Sequence, residues 1–181
     1  MGVKAHRDRR SNSSRWATTF IVAAIVIGLL VARHFGWIQS GKNRYEGLVV
    51  AVPDGDSLVV VIEGRERRVR LEGIDCPELG QEFGHEARDF ARDLAQGRQV
   101  QLRTVGVDQY NRILAEVVLQ DSRILNQELV RAGCAWHYRK VSDSDELVDL
   151  EQAARSAKRG LWQNADPLEP WRWRDQNPRK K

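Results

Sequence analysis

Between residues 45 and 119 the apolar side chains change their spacing twice, and this narrows the possible folds more than any other property of the sequence. Leu48, Val50 and Val52 alternate with other residues, then Leu58, Val60 and Ile62, then Val69 and Leu71 with Arg68, Arg70 and Glu72 on the opposite face. A period of two is that of strands with one buried face. Pro53-Asp54-Gly55-Asp56 and Glu63-Gly64-Arg65-Glu66 supply turns between them, so these residues read as an antiparallel meander. The spacing then becomes helical: Ala87, Phe90, Ala91, Leu94 and Ala95 share one stripe, closed by Gly97.

Alternation returns at Val100, Leu102 and Thr104 and, after a turn at residues 108–111, from Ile113 to Leu119. A short helix is expected over residues 126–132 before Gly133, and residues 134–138 read as extended. A last helix begins at Ser142 or Asp143, turns Leu147, Leu150, Ala154 and Ala157 inward, and carries Arg155, Lys158 and Arg159 before Gly160. Five strands with interspersed helices predict an α+β, mainly β domain: a small barrel of the oligonucleotide/oligosaccharide-binding (OB) kind.

The charge sits mainly at the ends. Residues 1–15 hold five basic side chains against Asp8, and residues 171–181 hold five against Asp175; since the 181-residue chain totals +4, residues 16–170 carry −4. A basic average therefore does not make the body a nucleic-acid footprint. From Trp16 to Ala32 no residue is charged, and snorkelling by Arg33 extends the apolar stretch to Ile38. That is long enough to span a bilayer, which takes roughly 17 to 25 residues. No Ala-x-Ala pattern follows Leu30, which favours a retained anchor over a cleaved signal peptide. The basic excess before the span orients the N-terminus to the cytoplasm and the body outside, in a periplasmic or extracellular setting. The expected organisation is a basic tail (1–15), a transmembrane signal-anchor in the bilayer (16–38), a linker (39–44), the barrel domain (45–174) and a basic C-terminal tail (175–181).

Asp56 and Asp75, in two acidic turns, are hard oxygen donors, although a lone Asp-Gly-Asp is more often a turn-former. Arg70 and Arg112 present planar forks suited to phosphate oxygens, or else surface ion pairs. Six motifs together are far more specific than any one: Asp54-Gly55-Asp56-Ser57, the run Arg70-Leu71-x-Gly73-Ile74-Asp75-x-Pro77-Glu78, Phe83-Gly84-x-Glu86-Ala87, Asp108-x-Tyr110-x-Arg112, Leu129-Val130-Arg131-x-Gly133 and Gly160-Leu161-Trp162. Over residues 45–162 the chain resembles the staphylococcal nuclease (thermonuclease) family. The resemblance implies a five-stranded barrel with three α-helices and a Ca²⁺-dependent hydrolysis of DNA or RNA phosphodiesters that leaves 3′-phosphate ends. By position, Asp56, Asp75 and the Cys76 carbonyl match the family's calcium ligands. Arg70 and Arg112 match its phosphate-binding arginines, Glu78 the carboxylate that activates water, and Tyr110 and Tyr138 aromatics that contact nucleotide. Cys76 stands where the staphylococcal enzyme has threonine, and Asn111 replaces a glycine in a turn that asparagine tolerates.

A catalytically silent OB barrel that binds nucleic acid remains the alternative, and it has no need of Glu78 and both arginines beside two metal carboxylates. No protein partner is expected, and the chain reads as a monomer. Cys76 and Cys134 leave two readings open, a disulfide or two buried thiols. Trp171-Arg172-Trp173-Arg174 likewise reads either as a segment packed back onto the domain or as a platform for single-stranded bases.

Overall fold

The computed structural model describes residues 44–178. The expected transmembrane helix at 16–38 and the basic tail before it lie outside the described residues. Among those described, no helix is long and apolar enough to cross a membrane.

Seven strands follow in chain order: β1 (Arg44–Asp54), β2 (Ser57–Ile62), β3 (Arg65–Leu71), β4 (Ile74–Asp75), β5 (Gln99–Val107), β6 (Ile113–Val118) and β7 (Trp136–His137). Five of them close a barrel in the order β1-β2-β3-β6-β5, with β5 returning to β1, while β4 and β7 form a separate antiparallel pair. Closure leaves no free barrel edge. The alternation expected of β2 is met, with Leu58, Val60 and Ile62 inside. They meet Val69, Leu71, Val100, Leu102, Ala115 and Val117 in one core. Each fully buried aliphatic side chain contributes about 1.5–3 kcal/mol.

Strand β1 differs from its expected facing. Val49 and Val52 are buried and Val50 is exposed, because the pairing with β2 shifts register between Val49 and Ala51 and again before Asp54. A bulge adds a residue and exchanges the faces. It lets one strand pair with β5 through residues 44–48 and then bend to follow β2.

The domain has four α-helices among the described residues, where three were expected: α1 (Gly84–Ala95), α2 (Leu125–Arg131), α3 (Asp145–Ser156) and α4 (Pro170–Gln176). Helix α1 turns Gly84, Ala87, Ala91 and Ala95 to the core, and these small side chains let it lie close against β1. Helix α3 starts after Ser144, whose hydroxyl accepts from the Leu147 N–H. Leu147, Leu150 and Ala154 of its expected inward stripe are buried or half-buried, but Ala157 is exposed and Glu151 is buried in addition. Glu151 is satisfied there by the His137 N–H (3.1 Å) and by ion pairs with Arg139 and Arg155. The additional helix α4 begins with Pro170 in its first turn, a position that suits proline's fixed φ and missing N–H. Trp171 packs against Trp136 (5.8 Å between rings) and Tyr138 (5.3 Å), so the C-terminal segment folds back onto the domain.

Both cysteines are free and buried. Burial pushes the Cys76 thiol well up and that of Cys134 up to about 12, so neither is a thiolate at neutral pH.

Candidate active site

The site begins at the β1–β2 hairpin. Ser57 pairs with Arg70 across β2 and β3, and the Asp56 carbonyl accepts from the Leu71 N–H (2.8 Å), which sets Asp56 beside Arg70. Arg70 lies between buried Val69 and Leu71 and therefore points away from the barrel core. Its guanidinium pairs with Asp56, donates to Asp75 Oδ1 (2.7 Å) and reaches the Ile74 carbonyl (3.2 Å). Asp75 is held by β4, where it pairs with Trp136 of β7. The Cys76 N–H donates to Asp56 Oδ2 (2.7 Å), joining the two acidic turns.

Glu78 sits in the loop that leads to α1. Its N–H donates to Gln81 Oε1 (3.2 Å), and its carbonyl accepts from the Gln81 N–H (2.8 Å). Gly84 is required here because a Cβ at that position would come within 1.9 Å of the Glu78 carbonyl oxygen. The start of α1 thus presses directly on the backbone that carries Glu78.

Arg112 arrives by a different route. Strands β3 and β6 are parallel, with Val69 opposite Ile113 and Arg70 opposite Leu114. Arg112, just before β6, is thereby brought to the arginine-bearing end of β3, although 42 residues separate it from Arg70. Asn111 has φ of 59°, the left-handed conformation that the turn needs and asparagine accepts. Asp108 accepts from the Arg112 N–H (2.9 Å) and Nε (2.7 Å), and Arg112 stands 5.5 Å over the Tyr110 ring. Burial would raise the Asp108 pKa, but the N–H and guanidinium of Arg112 and the Tyr110 N–H hold it below the usual carboxylate value.

One groove of about 880 Å³ is lined by Asp56, Arg70, Asp75, Cys76, Glu78, Tyr110, Arg112 and Tyr138. All eight residues singled out from the sequence therefore meet in one place. A further one was missed. Arg174 of α4 donates to both oxygens of Asp75 (3.2 and 2.8 Å) and to Glu78 Oε1 (3.0 Å). Partial burial would lower its pKa, yet the bonds to Asp75 and Glu78 raise it, and the guanidinium stays charged. The available signal was Pro170 as a helix start, which puts Trp171 and Arg174 on one helical face three residues apart.

Asp56 and Asp75 are nearly inaccessible carboxylates already organised around positive charge, that of Arg70 and Arg174. As hard oxygen donors they fit a divalent cation of the calcium or magnesium type, for which the Arg70 and Arg174 charges beside them compete. No group of three or more His, Cys, Asp or Glu side chains among the described residues is spaced to hold a metal by itself. A cation here needs backbone oxygen, water or substrate to complete its shell.

The model of the staphylococcal nuclease homologue family matches residues 68–164. The chain belongs to the staphylococcal nuclease family. It is 41% identical over 128 residues to an Escherichia coli protein named an uncharacterized endonuclease, covering 71% of this chain and 84% of that one. A Haemophilus influenzae protein of the same name is 37% identical over 71% of this chain and 72% of its own. A Shigella flexneri protein named micrococcal nuclease is 38% identical over 72% of this chain and 80% of its own. Family membership agrees with the closed five-stranded barrel. Arg174 lies beyond the residues that the family model matches.

Proposed function

We propose that this member of the staphylococcal nuclease family is a calcium-dependent nuclease that hydrolyses phosphodiester bonds of DNA or RNA by water attack and leaves 3′-phosphate ends. The observation that carries this reading is the meeting of two buried carboxylates, a third carboxylate and two arginines in one groove. Asp56, Asp75 and the Cys76 carbonyl would hold the cation, which when bound supplies charge to polarise a phosphate oxygen. Arg70 and Arg112 approach the groove from β3 and β6 and present guanidinium forks to the phosphodiester and to the negative charge that grows on it. Glu78 accepts a proton from the attacking water. Tyr110, with 62% of its surface exposed, and Tyr138 offer ring faces to the flanking nucleotides.

The 3′-phosphate direction follows the family resemblance. The uncharged run before Arg33 and the basic residues ahead of it support a single-pass anchor at 16–38, with the barrel on the extracytoplasmic side. In this reading the protein acts as a monomer. The test is digestion of single-stranded DNA by the full chain in detergent, with Ca²⁺ or EGTA. Cleavage is expected only with Ca²⁺, and Glu78→Gln is expected to lower it about 10²–10⁴-fold. Binding without metal-dependent cleavage would establish the silent barrel instead.

A further inference from the structure

Arg70 and Arg174 both touch Asp75, but they are held differently. Arg70 is embedded in β3, with Asp56, Asp75 and the Ile74 carbonyl around it. Arg174 extends from α4 with 40% of its side chain exposed, and Asp75 and Glu78 accept its hydrogen bonds. Its helix is secured independently, by Trp171 on Trp136 and Tyr138 and by Trp173 against Gly80. The guanidinium can therefore swing on its own side-chain torsions while α4 stays in place.

Its position conflicts with metal loading. Asp75 Oδ1 already accepts from Arg70 and Arg174, and Oδ2 accepts from Arg174. A divalent cation on Asp75 would share that carboxylate with a second full positive charge and would be repelled by it. Arg174 also occupies Glu78 Oε1, the oxygen of a group that must receive water's proton. Arg174 lines the same groove as Arg70 and Arg112, the space that a phosphodiester would enter.

We propose that Arg174 is a further substrate-binding residue that works by hand-over: it neutralises Asp75 and Glu78 in the metal-free protein, is displaced by the divalent cation, and then donates to a phosphate of the bound nucleic acid. The hand-over rests on the calcium-nuclease reading above. Two consequences follow from removing the guanidinium: the cation binds more tightly in the absence of nucleic acid, and nucleic acid binds less tightly in the presence of the cation.

The first is measured by isothermal titration of Ca²⁺ alone into the EGTA-stripped full chain in detergent. Arg174→Gln is expected to bind Ca²⁺ about tenfold more tightly than the natural chain, the scale of one charge-assisted hydrogen bond released. Arg172→Gln removes the same charge from the same helix without touching Asp75, and its Ca²⁺ affinity is expected to be unchanged. The second uses a single-stranded oligonucleotide and saturating Ca²⁺, with Glu78→Gln in every protein to prevent cleavage. Arg174→Gln is there expected to weaken binding about tenfold, and Arg172→Gln much less. Arg174→Lys keeps the charge and most of the volume, so its intermediate values preserve the comparison if Arg174→Gln loosens α4. Unchanged Ca²⁺ affinity in Arg174→Gln, with a lowered melting temperature, would overturn the hand-over and make Arg174 a permanent tie. Unchanged oligonucleotide affinity would overturn it equally. Failure of every protein to bind Ca²⁺ would overturn the calcium assignment itself, and the hand-over with it.

Discussion

Arg70 and Arg112 face one groove from supports of opposite character. Arg70 leaves the end of β3 with 14% of its side chain exposed, against Asp56 and Asp75, whose side chains are 9% and 1% exposed. Arg112 leaves the start of β6 with 28% exposed, next to Asp108 four residues earlier in the same hairpin. Val107 and Tyr110 in that hairpin are more than half exposed. On the first side, the charge proposed to bind phosphate also neutralises buried carboxylates, so the groove and the fold share the same interactions. On the second, the hairpin holds its arginine locally, and stability depends little on it.

This difference predicts unequal costs for equal changes. Arg70→Gln leaves Asp56 and Asp75 short of a partner in a nearly dry setting and is expected to cost about 3–5 kcal/mol of stability, read by denaturant titration. Nuclease activity should fall with it, by about 10²–10³-fold. Arg112→Gln should lower activity about 10²-fold, yet cost no more than about 1 kcal/mol, since a partly exposed pair contributes little. Equal stability losses in the two variants would erase the distinction.

Acid should separate the two sides in a smaller way. Burial, and then the nearby Arg139, hold His137 below its ordinary pKa. It lies in β7, opposite Ile74 and next to the partner of Asp75. The unfolded chain therefore takes up the proton first, and stability falls as pH drops below about 6.5, the value of a free histidine. Asp108 also has a lowered pKa, but its contribution is complete above about 3.9 and is lost only as pH falls through its lower folded value. His137→Gln is accordingly expected to flatten the fall in melting temperature between pH 7 and 5, whereas Asp108→Asn should leave that interval unchanged. A His137→Gln profile as steep as that of the natural chain would place the acid sensitivity elsewhere.

Much of the barrel was legible because its signals are local. The alternation of β2 and the small-residue stripe of α1 state which face is buried, and Asn111 announces a left-handed turn. The features that escaped reading depend on partners distant in sequence. The bulge in β1 follows from serving both β2 and β5. Glu151 is tolerable inside only because the His137 N–H, Arg139 and Arg155 surround it. Asn126, unremarkable in the sequence, is buried and bridges the Val117 N–H (3.0 Å) with the carbonyls of Glu72 (2.9 Å) and Ala115 (3.2 Å). Its amide accepts from the Val117 N–H inside β6 and adds a second bond to the Ala115 carbonyl, which also accepts from the Glu72 N–H (2.9 Å).

Eight of the residues along the groove could be named before any fold was known, because the motifs that carry the family resemblance state them residue by residue. How they meet follows from the fold. Parallel pairing of β3 with β6 brings Arg112 to Arg70, the β4–β7 pair sets Asp75, and the contact of Gly84 with the Glu78 carbonyl holds the loop. The structure also decided that Arg174 joins them. Charge and polarity belong to single residues, whereas partnership across 99 positions, from Asp75 to Arg174, depends on where the folded chain returns.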